Sequence, residues 1–464
     1  MKATLENSTV KEDVIRSKAY FKTGQSKKVP YRISALKRLR AAIQANEDAI
    51  CEALYKDFKK PKFESLATET QFVLAELDYL LKNVAWWSEP KKVSGSWSTF
   101  PSRDWIHYEP YGNVLIIAPW NYPFQLCISP LIGAIAAGNT VVLKPSEFTP
   151  HTGTLLEKMV DEVFEPGHVT VVQGGVATSQ ELLAYKWDYI FFTGSTRVGK
   201  IIYQSAAKQL TPVTLELGGK NPCIIDATAN IPISAKRIVW GKFMNAGQTC
   251  IAPDYLLVHH SVKEKLIVAI IKCIEKSYGK EIATSPDYAR IATTHQFNRL
   301  VAMIEGQEIL FGGNHKAADQ FVEPTLLNAP SLDSMVMQDE IFGPVLPVIG
   351  YETEEELEEI ISRYEKPLAF YVFSNDKKFQ KRTMRHYAFG GGAINDTVIQ
   401  ITNKNLPFGG VGNSGIGGYH GKHSYELFSH KKGIIKKSNW MELPVRYAPY
   451  QTFTKLAKWF KHFI

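Results

Sequence analysis

Ile33, Leu36, Leu39, Ile43, Ile50 and Leu54 recur near the helical period, predicting a helix over residues 32–54 inside a helical stretch from about 10 to 58. A second helix, rich in Leu and Ala, is predicted over 66–87. The pattern then changes. Residues 114–118, 140–144, 169–173 and 189–193 are short apolar runs without alternation, as expected for parallel strands covered on both faces. Helical segments fall between and after them, at 123–137, 152–163 and 197–209. This alternation predicts an α/β fold with a doubly wound parallel sheet, whose ligands bind beyond the carboxyl ends of the strands. From Ile224 a second alternation begins, with a helix at 233–245, a strand at 255–259, a helix at 262–278 and strands near Ile309 and Val345. It predicts a second α/β domain. Residues 89–110 fit neither pattern. They carry Pro, Ser and Gly with scattered aromatics and end in a strand-like WIHY run. An excursion used between subunits and a plain surface loop both fit this composition.

The 464-residue length agrees with more than one core. Residues 110–143 carry no charged side chain, a run long enough to span a bilayer. Pro119, Pro123, Pro130, Asn121 and Asn139 interrupt it, so it reads as strand, loop, helix and strand of a buried core. The amino-terminal residues mix both charges without an apolar core, unlike a signal peptide. Five widely spaced cysteines offer neither a zinc knuckle nor a CxxC pair, so no metal site is expected. A reduced, cytoplasmic protein follows. The net charge of +8 is dispersed and no recognition module is visible, which argues against nucleic-acid binding.

Chemistry concentrates at a few places. Cys250 follows Gly247-Gln248-Thr249, with Asn245 and Gly247 marking a bend. A thiolate is a strong nucleophile, and a tight turn can aim backbone N–H groups at an oxyanion beside it, although a lone cysteine also packs as a small apolar residue. Glu216 lies in an apolar run closed by Gly218 and Gly219. Burial would raise its pKa toward that of a general base, and pairing with Lys220 is the alternative. Lys144 and Glu147 follow one strand, suited to ribose hydroxyls or a phosphate. Gly194, Ser195 and Gly199 follow another and open a helix, suited to a pyrophosphate or simply to close helix packing. Glu340 and Phe342 stand in an acid–aromatic–turn segment, and residues 390–392 and 406–415 are glycine-rich.

Taken in order, APWNYP at 118–123, KPSE at 144–147, FTGST at 192–196, LELGGK at 215–220, GQTC at 247–250, EIFGP at 340–344 and LPFGG at 406–410 resemble the NAD(P)-dependent aldehyde dehydrogenase superfamily. The likeness runs from about residue 41 to residue 429. The early first helix and the NAGQTCIAPDY segment look most like the class 3, fatty and aromatic aldehyde branch. The resemblance implies two doubly wound α/β domains, cofactor-binding and catalytic, with a small β oligomerisation flap. In this numbering the cofactor-binding domain is 1–88 with 111–217, the catalytic domain 218–417, the bridging hairpin 89–110 with 431–440, and the tail 441–464. It implies Cys250 as nucleophile, Asn121 and the Cys250 N–H as the oxyanion hole, and Glu216 as the base that hydrolyses a thioester. Lys144 and Glu147 would hold the adenosine ribose, and Gly194, Ser195 and Gly199 the pyrophosphate. Glu340 and Phe342 would position the nicotinamide ribose and ring. NAD is expected, with NADP also accepted.

The implied activity is oxidation of medium- or long-chain aliphatic or aromatic aldehydes to carboxylic acids, by a homodimer. Trp120, Tyr122, Phe124 and Trp240 would line an apolar substrate tunnel, or simply pack the core. A CoA-acylating dehydrogenase and a catalytically silent protein of the same fold are the alternatives. Finally, residues 453–464 form a basic amphipathic run. Phe453, Leu456, Ala457, Trp459, Phe460, Phe463 and Ile464 fall on one side of a helical wheel. Packing on the protein, a lid over the substrate entrance and peripheral membrane contact all suit it.

Overall fold

The uncharged run folds as strand Asn113–Ile117, helix Gln125–Ala137 and strand Thr140–Lys144, buried along their whole lengths. They form the centre of a six-stranded sheet in a computed structural model that describes residues 9–442 and 444–457. Its order is Gly415–Ile416, Val213–Glu216, Tyr189–Thr193, Asn113–Ile117, Thr140–Lys144, Val169–Val171. All neighbours are parallel except the first pair. The strand order reverses between Asn113–Ile117 and Tyr189–Thr193, which opens a crevice at their carboxyl ends. The chain returns to this sheet at Gly415–Ile416, inside the stretch 218–417 assigned above to the second domain.

A seven-stranded sheet follows, ordered Ile309–Phe311, Thr325–Asn328, Val345–Tyr351, Tyr255–His259, Pro222–Ile225, Ala369–Phe373, Gly391–Ile394. It is parallel apart from its first pair. A three-stranded antiparallel sheet lies outside both. Ser102–Pro110 is its central strand, with Lys91–Val93 on one side and Ser429–Lys437 in nine-residue register on the other.

Several expectations change. The helix predicted over 32–54 is two helices, Val29–Ala45 and Glu47–Phe58, parted at Asn46. The Asn46 amide donates back to the Ala42 carbonyl at 2.8 Å, a local bond that competes with helix continuation. The helix predicted over 66–87 begins as a wide π turn, Leu66–Thr70, and continues as Gln71–Trp87. Ile231–Phe243 stops short of residue 245 because Asn245 turns left-handed. Most of the amphipathic run at 453–464 lies outside the described residues, which end in a short helix, Thr454–Ala457. Among the described residues no helix is long and apolar enough to cross a membrane.

Candidate active site

After helix Ile231–Phe243 the chain passes through three residues of positive φ: Asn245 at 55°, Ala246 at 52° and Gly247 at 74°. Such a turn is strained for the non-glycine residues and persists only where its surroundings hold it. Asn245 Nδ2 donates to the Asn121 carbonyl at 2.8 Å and to the Gln248 carbonyl at 3.2 Å. Gln248 Nε2 donates to the Asn245 and Arg290 carbonyls, each at 3.0 Å. Gly247 has no substitute, since a Cβ there would lie 2.3 Å from the Gly343 carbonyl oxygen. Just beyond, Asn221 Nδ2 donates to the Cys250 carbonyl at 2.8 Å. Cys250 is partly buried as a residue. Burial pushes its pKa up, and the charges of Glu340 and Glu216 push it further.

Asn121 stands in the loop after strand Asn113–Ile117 and is buried. Its Nδ2 donates to the Gln248 carbonyl at 3.0 Å, which leaves a second N–H on the same amide for another acceptor. The neighbouring Tyr122 hydroxyl shares a 2.7 Å hydrogen bond with Thr249 Oγ1. Thus the 118–123 loop and the Cys250 loop are bonded to each other.

Glu216 ends its strand 2% exposed, and among the described residues neither of its carboxylate oxygens has a hydrogen-bond partner. Burial holds its pKa well above the usual carboxylate range. The alternative of pairing with Lys220 fails, because Lys220 Nζ pairs with Asp254 at 2.7 Å and donates to the Val336 and Asp339 carbonyls.

Glu340 lies against the backbone of Gly218, where a Cβ would sit 2.2 Å from Glu340 Oε2. Burial, and then the charge of Asp254, push Glu340 up to about 8. Phe342 has φ 52° and meets the Trp120 ring edge-on at 5.4 Å. This segment is held by two residues the sequence did not single out. Arg299 Nη2 donates to the Glu340 and Ile341 carbonyls, and Gln296 Nε2 to those of Ile341 and Phe342. Both sit on helix Thr294–Ile304 and look like ordinary polar helix positions.

At the crevice of the six-stranded sheet, helix Thr196–Ala207 begins directly after Tyr189–Thr193, with Ser195 as its N-cap. Gly194 packs on the Phe192 ring and Gly199 on Leu217, at 2.5 Å and 2.7 Å from a would-be Cβ. Gly199 therefore serves close helix–strand packing at the least. Lys144 Nζ meets Glu147 Oε2 at 2.8 Å, so the two are joined as an ion pair. The four aromatics proposed as a tunnel do not share one environment. Trp120 is partly buried and Trp240 is 44% exposed. Tyr122 is tied to Thr249. Phe124 is fully enclosed in the core, which corrects its assignment to a passage: it packs among core side chains.

Two mostly parallel sheets, with a partly buried cysteine just after the left-handed turn and a buried carboxylate without a hydrogen-bond partner among the described residues, define an α/β enzyme fold. The chain belongs to the aldehyde dehydrogenase family, whose model, "Aldehyde dehydrogenase family", matches residues 3–434, and it is an aldehyde-oxidising oxidoreductase. It is 47% identical to the 4,4'-diaponeurosporen-aldehyde dehydrogenase of Staphylococcus aureus, over 96% of this chain and 97% of that protein. It is 41% identical to the dimeric NADP-preferring aldehyde dehydrogenase of Canis lupus familiaris, over 98% of this chain and all of that one. The solved structure "Substrate bound state of Staphylococcus Aureus AldH" superposes with a TM-score of 0.96 at 46% identity, covering 98% of this chain and 100% of that one. A Mycobacterium tuberculosis aldehyde dehydrogenase complexed with NAD+ superposes with a TM-score of 0.83 at 27% identity, covering 92% and 90%.

Proposed function

We propose that the enzyme oxidises medium- or long-chain aliphatic or aromatic aldehydes to carboxylic acids with NAD or NADP. The Cys250 thiol releases its proton to water and Sγ adds to the aldehyde carbonyl carbon, and the resulting oxyanion accepts from the free N–H of Asn121 Nδ2 and from the Cys250 backbone N–H. The residues at the first sheet suit a dinucleotide: an accessible helix N-terminus favours pyrophosphate, and the Lys144–Glu147 pair suits a ribose. NAD(P) bound there supplies the acceptor for the hydride lost as the thiohemiacetal becomes a thioester, with Glu340 and Phe342 as the residues that position the nicotinamide end. Ionised Glu216 then takes a proton from water. The hydroxide oxygen bonds to the thioester carbon and the C–S bond breaks, giving the acid and the Cys250 thiolate, which takes back the proton held by Glu216. The observation that carries this reading is the unpaired carboxylate of Glu216. A base without a partner suits hydrolysis by water, and speaks against the CoA-acylating alternative.

Glu147 would repel a 2′-phosphate, but its ion pair with Lys144 offsets that charge, which supports use of both cofactors. Homodimer formation through the three-stranded sheet is part of the same reading. Its edge strand Lys91–Val93 is exposed, as are Trp97, Phe100 and Ile435.

The test is cofactor reduction across aldehydes from acetaldehyde to hexadecanal, with benzaldehyde and 4,4'-diaponeurosporen-aldehyde, on wild type and Cys250→Ser. Rates that rise with chain length and vanish in Cys250→Ser are expected. Turnover confined to short aldehydes contradicts the substrate class, and turnover in Cys250→Ser contradicts the nucleophile.

A further inference from the structure

The left-handed turn before Cys250 is gripped from one side by a residue outside both glycine-rich motifs. The Asn245 backbone N–H, at the start of that turn, donates to Glu64 Oε2 at 2.9 Å. Glu64 sits in the short helix Lys62–Ser65, more than 180 positions away in the chain. Around it lies a buried polar cluster that reaches the same loop by a second route. Lys60 pairs with Glu69 at 2.7 Å, both fully buried, and Lys60 Nζ stands 3.8 Å over the Tyr122 ring. The Tyr122 hydroxyl is bonded to Thr249, next to the nucleophile. Glu69 accepts from the N–H groups of Phe124 at 3.1 Å and Gln125 at 2.7 Å, and so anchors the far side of the Asn121 loop.

We propose that the Glu64 carboxylate is a positioning group for the nucleophile, holding the left-handed turn at 245–247 in the form that presents Cys250. The inference rests on the reading of Cys250 as the nucleophile. Asn245 and Ala246, both at positive φ, store strain that a relaxed turn would release, and the Asn245 N–H is the donor at which that release would begin. A charged acceptor holds such an N–H more firmly than a neutral one. Burial pushes Glu64 up to about 7, and Asp287 adds to this, while Lys60 and the Asn245 N–H act against it. Among the described residues, the hydroxyls of Tyr122, Tyr278 and Tyr288 also feel its charge. As pH falls through about 7, Glu64 gains a proton and becomes the weaker acceptor, so the grip on the turn slackens on the acid side.

The test compares full-length wild type, Glu64→Gln and Glu64→Ala. The rate of Cys250 alkylation by iodoacetamide is followed by peptide mass spectrometry from about pH 5.5 to about pH 9, beside kcat, KM and Tm. Glu64→Gln offers only a neutral acceptor at every pH. It is expected to alkylate severalfold more slowly than wild type at high pH, close to wild type on the acid side, and to lose the step near neutrality. Glu64→Ala is expected to lower kcat roughly 10- to 100-fold with KM nearly unchanged, and to slow alkylation at every pH. A Glu64→Gln profile superimposable on wild type overturns the proposal, as does a Glu64→Ala enzyme with wild-type kcat and alkylation. Alkylation needs neither aldehyde nor cofactor. A failure of the proposed reaction would appear as turnover in Cys250→Ser, and a failure of this inference as unchanged alkylation.

Discussion

Glu69 and Glu216 are both buried carboxylates, and they are treated in opposite ways. Glu69 is saturated by the Lys60 ammonium and the N–H groups of Phe124 and Gln125. Glu216 has no hydrogen-bond partner among the described residues. Burying a carboxylate costs several kcal/mol unless charge and hydrogen bonds compensate it, so the first is a brace and the second is a liability that stability alone would not select. In the proposed reaction, the braced carboxylate holds the loop that carries Asn121, and the uncompensated one serves proton transfer.

Breaking the contrast at Glu216 should have the largest effect. Glu216→Gln should lower steady-state kcat about 10²- to 10⁴-fold, the usual range for losing a general base. The same change should stabilise the fold at alkaline pH. A carboxylate whose folded pKa is raised holds a proton that the unfolded chain has already released, so stability falls as pH climbs from the unfolded value, near 4.5, toward the folded one. Thermal melts of the Gln variant should lack that decline and lie a few degrees above wild type at about pH 8.

On the brace side, Lys60→Met should cost about 3 kcal/mol of stability by leaving Glu69 without its counter-charge, measurable by denaturant unfolding. Double replacement, Lys60→Met with Glu69→Gln, should recover much of that loss. The smallest expected effect is at the rim of the first sheet. Glu147→Gln removes one charge facing the proposed ribose site and should raise the NADP-to-NAD ratio of kcat/KM roughly fivefold, with a small fall in Tm because buried Lys144 loses its counter-charge.

The parallel core was legible because strands covered on both faces need unbroken apolar runs, and short runs of that kind recur at 114–118, 140–144 and 189–193 with helical segments between them. Helix Val176–Ala184 was not, because its one fully buried residue, Leu182, makes no periodic stripe. The break at Asn46 was hidden by apolar periodicity that continues across it into Ile50 and Leu54. In the site, Cys250 and Glu216 stood out as polar residues in glycine-rich or apolar surroundings, whereas Asn121 was picked out only through the family resemblance. Glu64, Lys60 and Glu69 did not. Charged residues at helical spacing resemble a solvated face, and only the tertiary fold turns Lys60 and Glu69 inward. Phe124 erred the other way, since an aromatic beside a reactive loop reads equally well as lining or as core.

The central claim is that Glu216 activates the water that releases an acyl group from Cys250. It is tested most directly by mixing Glu216→Gln with NAD and an aldehyde such as octanal and recording the intact mass within the first turnover. The account predicts one equivalent of reduced cofactor and an acyl adduct that maps to Cys250 and decays slowly. Rapid turnover without an adduct, or an adduct on another residue, would contradict it.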